Sequence, residues 1–248
     1  MSLKTKEVNM VSESEHLEEI ARRSIYAKGT NSATIQYSGN IFLKYMVDGS
    51  VCELGPAEGL MTDIIYPRYS SDYTVVDAAP TFVGMIKSRY PQINGIVSLF
   101  ENYKSQRKYD NIILGHVLEH VENPVEILRS VKNILSEKGR ILVAVPNCDS
   151  LHRQAAVKMG LLEHVDDMSE KDKLHGHRRV YSMDRLVRNF EDADLHIIKK
   201  GGYWLKPISD KQIEESWSAE MLNAFMSLGE LYPDIAAEIY VIAELKKT

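Results

Sequence analysis

Val51-Cys52-Glu53-Leu54-Gly55-Pro56-Ala57-Glu58-Gly59 is the stretch whose reading decides the fold. A short apolar run carries one acidic residue, turns through two glycines and gives way near Leu60 to a helical pattern. Strand, tight turn and helix in this order let backbone N–H groups and a helix N-terminus approach a ligand, because glycine puts no side chain in the way. Glu53 is placed to accept hydrogen bonds from a ligand's hydroxyls or ammonium group. A tight strand-to-helix turn also holds glycine for purely local reasons, so the rest of the chain has to decide between the two readings.

Downstream, strand and helix alternate with little slack, the pattern of a parallel sheet covered on both faces. Strands read at residues 51–54, 73–76, 95–99, 111–114 and 140–145, and helices at 60–66, 81–90 and 124–135. Pro67 is expected to stop the first helix, Pro80 and Pro124 to open the next two, and Gly139 to close the third. A helix over 182–192 capped by Ser182, a strand over 195–203, a helical stretch over 210–231 and a strand over 238–244 complete the chain. Upstream, 12–28 and 33–46 read as helices that cap the core. The alternative is a lid that brings Tyr26 or Tyr37 to a site.

The composition is that of an ordinary globular protein: 248 residues, 44% hydrophobic and 26% charged. No apolar run approaches the roughly 18 residues of a membrane span, and residues 1–10 lack the apolar core of a signal peptide. Two cysteines, Cys52 in a buried strand and Cys148 in a loop, argue against a disulfide framework and for a reducing, cytoplasmic setting. A net charge of −5 disfavours a nucleic-acid backbone as the main partner.

Three further segments sharpen the picture: Asp77 ending the second strand, the run from Tyr109 to Val121 (YDNIILGHVLEHV), and the run from Arg140 to Asn147 (RILVAVPN). With the opening stretch, they make residues 51–245 resemble the class I S-adenosylmethionine-dependent methyltransferases. The resemblance implies an α/β fold with a seven-stranded, mostly parallel sheet, helices on both faces and an antiparallel last strand. It implies a helical N-terminal cap at 1–48 and a methyltransferase domain at 49–248, with helical inserts at 148–181 and 210–231. Glu53, Gly55, Ala57 and Gly59 follow the family's motif of an acid and alternate glycines, with Ala57 where the middle glycine stands. S-adenosyl-L-methionine is the implied cofactor, held by Glu53, Leu54, Gly55, Pro56, Ala57, Gly59, Asp77, Ala78, Leu99, Phe100, Glu101, Gly115 and His116. Asp77 would accept both ribose hydroxyls, and Leu99 with Phe100 would wall the adenine. A nicotinamide dehydrogenase needs glycines where this chain has Ala57 and Leu60.

Methyl transfer from a sulfonium requires an acceptor held in line, water excluded and, for a hydroxyl or ammonium, a proton removed. His116, at the end of the fourth strand, is the candidate base, with a wall or core histidine as the other reading. Lys206 is a second candidate, as base or anion-binder. Tyr37, Asn147, His175, His177, Arg178, Trp204 and Lys206 form the candidate acceptor site, and the basic residues of 148–181 point to a carboxylate- or phosphate-bearing small molecule. His116-Val117-Leu118-Glu119-His120 also matches H-x-x-E-H. It directly follows a strand, and spacing indicates no third ligand, so no metal is expected, and Glu119 and His120 read as packing or capping. Two other functions stay open: a methyltransferase for RNA or protein, and a cofactor-binding interaction module. For the latter, the stripe Ile213, Trp217, Met221, Phe225, Leu228 reads as core or as a homodimer face.

Overall fold

The computed structural model describes residues 17–19, 21 and 28–247. The helix expected over 12–28, with Tyr26, lies largely outside the described residues. The strands are β1 (Val51–Leu54), β2 (Tyr73–Asp77), β3 (Asn94–Val97), β4 (Tyr109–Gly115), β5 (Leu135–Pro146), β6 (Leu195–Tyr203) and β7 (Glu238–Leu245). The helices are α1 (Gly29–Leu43), α2 (Leu60–Tyr69), α3 (Pro80–Arg89), α4 (Pro124–Asn133), α5 (Leu151–Lys158), α6 (Glu170–Leu174), α7 (Met183–Asp192), α8 (Asp210–Ser216) and α9 (Ala219–Leu231).

The strands form one seven-stranded sheet in the order β3-β2-β1-β4-β5-β7-β6. Pairs from β3 to β5 are parallel, and β7 runs antiparallel to both β5 and β6, the architecture expected from the sequence. Alternate residues of each strand serve opposite faces. Cys52, Leu54, Ile112 and Leu114 pack with Leu128 of α4 and Phe190 of α7, while Val51, Ile113 and Leu142 pack with Phe42 of α1 and Ile65 of α2. Because β1 sits between β2 and β4, successive connections leave it in opposite directions. A crevice therefore opens beyond the carboxyl ends of β1 and β4, where open α/β sheets take their ligands.

Of the boundaries that differ from the sequence reading, three bear on the packing. Pro67 lies inside α2, in its last turn, where it removes only one backbone bond, and the helix continues to the buried Tyr69. α4 ends at Asn133, and β5 begins at Leu135, so Gly139 is a strand residue and not a helix stop. Leu135 pairs with Tyr109, and a Cβ on Gly139 would meet Leu135 Cδ1 at 2.7 Å, so the chain needs glycine where it passes its own leucine. The stretch 210–231 is two helices, since Trp217 is extended and Ser218 accepts the Met221 N–H to start α9 afresh. Ile213, Trp217 and Phe225 belong to the core layer around α1, which turns most of the predicted stripe inward.

Candidate active site

A cavity of about 680 Å³ fills the crevice. Its first wall is the loop after β1. Gly55 takes φ +67°, and a Cβ there would meet Val117 Cγ2 at 2.9 Å, so a side chain would close the loop against β4's exit. Ala57 also sits in the left-handed region, at φ +48°, where glycine is usual. Gly55, Pro56 and Ala57 line the cavity. Leu54 and Gly59, expected to contact cofactor, are not among its lining residues. Leu54 points into the core, and Gly59 (φ +84°) caps α2 against Ile86 and Arg89 of α3.

Glu53 lines the cavity but is only 2% exposed. Its Oε2 accepts hydrogen bonds from Thr62 Oγ1 (2.7 Å) and the Tyr73 hydroxyl (2.6 Å), and burial pushes its carboxyl up to about 7. Part of its accepting capacity is therefore spent inside the fold. Asp77 ends β2 at the same edge, where its Oδ1 accepts the Ala79 N–H at 2.9 Å. Burial raises its carboxyl to about 6, against amide hydrogen bonds from Ala79, Ala57 and Ala78 that pull the other way. Ala78, Leu99, Phe100 and Glu101 complete this half of the lining.

Gly115 and His116 separate the two halves. His116 has φ +58° and donates its backbone N–H to Ala144 O at 2.9 Å. Its Nδ1 lies 3.4 Å from Glu119 Oε1 and 3.9 Å from Glu238 Oε2, and its Nε2 is 3.5 Å from the Tyr203 hydroxyl. Burial lowers the His116 pKa, but the Glu119 contact and the charges of Glu238 and Glu119 outweigh it and raise it to about 8. Glu238, the first residue of β7, is pushed by burial to about 7. The sequence reading missed it, although an antiparallel last strand necessarily begins beside the end of β5, where Glu238 pairs with Pro146.

The far half comes from the segment after β5 and from the end of β6. Trp204 (φ +67°) follows β6, and Lys206 Nζ sits 4.7 Å from its ring centroid and 2.6 Å from Asp210 Oδ1. Burial lowers the Lys206 pKa, while the two ammonium groups of Lys206 and Lys171 hold Asp210 below the usual carboxylate range despite its burial. His175, His177, Arg178, Trp204 and Lys206 all line the cavity. Asn147 lines it too, but its amide is committed to the fold, donating to Ala236 O (2.8 Å) and Asp234 O (3.2 Å) and accepting from Asp149 N (3.0 Å). Tyr37 is not brought to the cavity. Its hydroxyl donates to Glu230 and its ring stacks on Tyr203.

Much of the basic cluster read from 148–181 is internal. Arg153 donates to Val165 O (2.7 Å) and Asp172 Oδ2 (3.0 Å), and Arg179 to Leu118 O and Glu122 O (2.9 Å each). Burial drops His152, a member of that cluster that lines the cavity, to about 3, leaving it neutral.

Such a crevice, with a glycine-bearing loop after the first strand, an acid ending the second and an antiparallel seventh strand, defines a class I methyltransferase. Residues 28–200 match the family described as "Methyltransferase domain", and the chain belongs to it. Nodulation protein S of Sinorhizobium fredii is 30% identical over 87 residues, covering 34% of this chain and 40% of that protein. The ubiquinone biosynthesis O-methyltransferase of Glaesserella parasuis is 28% identical over 125 residues, covering 47% of this chain and 50% of that protein. The chain thus matches half or less of these relatives' length. The N-methyltransferase NodS of Bradyrhizobium japonicum, solved with S-adenosyl-L-homocysteine, superposes with a TM-score of 0.55 at 12% identity, covering 88% of each chain. Among the described residues no helix is long and apolar enough to cross a membrane.

Proposed function

We propose that this chain transfers the methyl group of S-adenosylmethionine to an oxygen or nitrogen atom of a small molecule. The observation that carries the reading is one cavity with two unlike walls meeting at His116. On the near wall the loop from Gly55 to Ala57 takes the methionine portion, Asp77 accepts the ribose hydroxyls, and Leu99 and Phe100 flank the adenine. About 680 Å³ lies within the range of cofactor and ligand pockets. On the far wall the insert, Trp204 and Lys206 hold the acceptor against the sulfonium, so that transfer becomes a step between positioned partners.

His116 stands at the junction, where it orients the acceptor and can exchange its proton. Lys206, tied to Asp210, is a fixed positive charge more than a free base. An anionic acceptor, expected from the basic residues of 148–181, loses support because Arg153 and Arg179 are consumed inside the fold. Leu161 and Leu162 at the cavity wall favour an acceptor with an apolar body and a hydroxyl or amine. The test is calorimetric titration with S-adenosylmethionine and, separately, with NAD. Saturable binding of the first alone is expected. Binding of NAD alone, or of neither, removes the reading; once S-adenosylmethionine binds, turnover is sought among hydroxylated and amino acceptors, with salt dependence as the check for a macromolecular one.

A further inference from the structure

Two chain segments are knitted together on the far wall. The turn after β4 (residues 116–122) meets residues 175–181: Arg178 N donates to Glu119 O (2.8 Å), the Arg179 guanidinium takes Leu118 O, Val121 O and Glu122 O, and the Tyr181 hydroxyl reaches Leu118 O at 3.4 Å. This stitching lays His177 against His120, with ring centroids 4.8 Å apart and planes at 89°. Beside them lies Glu119, fully buried, and neither of its carboxylate oxygens has a hydrogen-bond partner. A carboxylate withdrawn from water in this way calls for a compensating group. His116 Nδ1, at 3.4 Å from Oε1, forms an ion pair with it and answers part of that need, leaving Oε2 open.

Glu119, His120 and His177 each offer one ligand atom, and these atoms all lie within 4.8 Å of one another. Both imidazoles also have a polar protein group beside the ring. Asp172 Oδ1 lies 3.4 Å from His177 Nδ1, and the Gly176 backbone engages a ring nitrogen of His120. Asp172 is itself fixed by Arg153 and by a capping box with Ser169. Carboxylates and carbonyls in that position orient metal-ligating histidines.

We propose that Glu119, His120 and His177 bind one divalent transition-metal cation of the zinc or cobalt type at the cavity wall. Two imidazoles and a carboxylate suit these ions, whereas magnesium and calcium take oxygen ligands. Metal–ligand bonds of about 2.0–2.2 Å in a tetrahedron place ligand atoms roughly 3.5 Å apart, so loading draws the widest-spaced pair together by no more than about 1 Å. Three protein ligands leave a coordination position open, and since His120 and His177 line the cavity, that position faces its interior. There the ion polarises an acceptor hydroxyl and eases loss of its proton. This role rests on the methyltransferase reading, whereas the site itself does not. Of the H-x-x-E-H run, two residues serve as ligands, and the third comes from the insert.

The test is titration of chelator-stripped full-length protein with CoCl2, read by visible ligand-field absorption, followed by displacement with ZnCl2, all without S-adenosylmethionine. One saturable, zinc-displaceable cobalt per chain is expected. His177→Ala and His120→Ala should each weaken binding at least about tenfold, while His196→Ala, at an exposed strand position, leaves it unchanged. His177 belongs to the insert, so its variant keeps the sheet intact, as circular dichroism verifies. Absence of saturable binding by the wild type overturns the proposal, as does equal binding by the two histidine variants. Because no cofactor is present, failure here is separate from failure to bind S-adenosylmethionine.

Discussion

The two walls of the cavity are built by different means. The near wall is local: Gly55, Ala57 and Asp77 stand at the ends of adjacent parallel strands, and much of what they offer is backbone or one acid. The far wall is assembled from distant pieces, held by buried charges such as Arg153–Asp172 (3.0 Å) and Lys206–Asp210 (2.6 Å). Within one family, a wall fixed by sheet geometry suits a shared cofactor, and a wall fixed by side-chain networks suits varied acceptors. Each wall should therefore be open to damage without the other.

The largest effect is expected on the far wall. Arg153→Met removes the guanidinium that bridges Val165 O and Asp172, leaving a buried carboxylate short of its cation, a loss of about 3–5 kcal/mol for a pair this buried. Limited proteolysis should then cut within 148–181 first while affinity for S-adenosylmethionine holds. Affinity falling in parallel would show that the walls are coupled. On the near wall, Asp77→Ala deletes the acceptor proposed for two ribose hydroxyls, and calorimetry should show binding weakened by roughly 2–4 kcal/mol with melting behaviour of the insert unchanged. Unaltered affinity would take Asp77 out of the site.

The same division explains what could be read from the chain alone. The sheet, its antiparallel seventh strand and the placing of Asp77, Phe100, Gly115 and His116 along one edge follow from hydrophobic runs and turn residues that act over a few positions. That the Leu54 side chain belongs to the core could not be read from the chain, because a run buried on both faces shows no alternation to reveal which way a residue points. Charge pattern misled more seriously in 148–181. Arginines that look like an anion-binding patch serve as staples for carbonyls, and only the folded chain shows which guanidinium groups are occupied. The proximity of His177 to Glu119 and His120 could not be read from the chain, because His177 lies in a different segment.

A smaller effect concerns pH. Asp77 is raised to about 6, so below that value the free protein carries it protonated, and a cofactor that requires the ionised carboxylate must first displace the proton. Affinity for S-adenosylmethionine should be constant above about pH 7 and decline below pH 6, approaching a tenfold loss per pH unit. Asp77→Asn should abolish that slope, and a slope that survives the substitution would assign it to another group, with Glu53, raised to about 7, the first to examine.

The smallest effect tests whether the near wall really is a backbone device. Ala57 holds φ +48°, a conformation that costs an L-residue about 1–2 kcal/mol relative to glycine. Ala57→Gly relieves that strain but gives the unfolded chain more freedom, which returns about 0.4–1 kcal/mol, so the net gain in stability should be a few tenths of a kcal/mol to about 1. The Ala57 side chain packs against Ala79 and Phe82, and losing those contacts trims the gain further. Thermal melts should therefore show a rise of at most a few degrees, with cofactor affinity equal or slightly higher as the loop relaxes. A clear drop in stability would mean that the methyl group, through Ala79 and Phe82, outweighs the strain, and that this loop depends on side-chain packing as the far wall does.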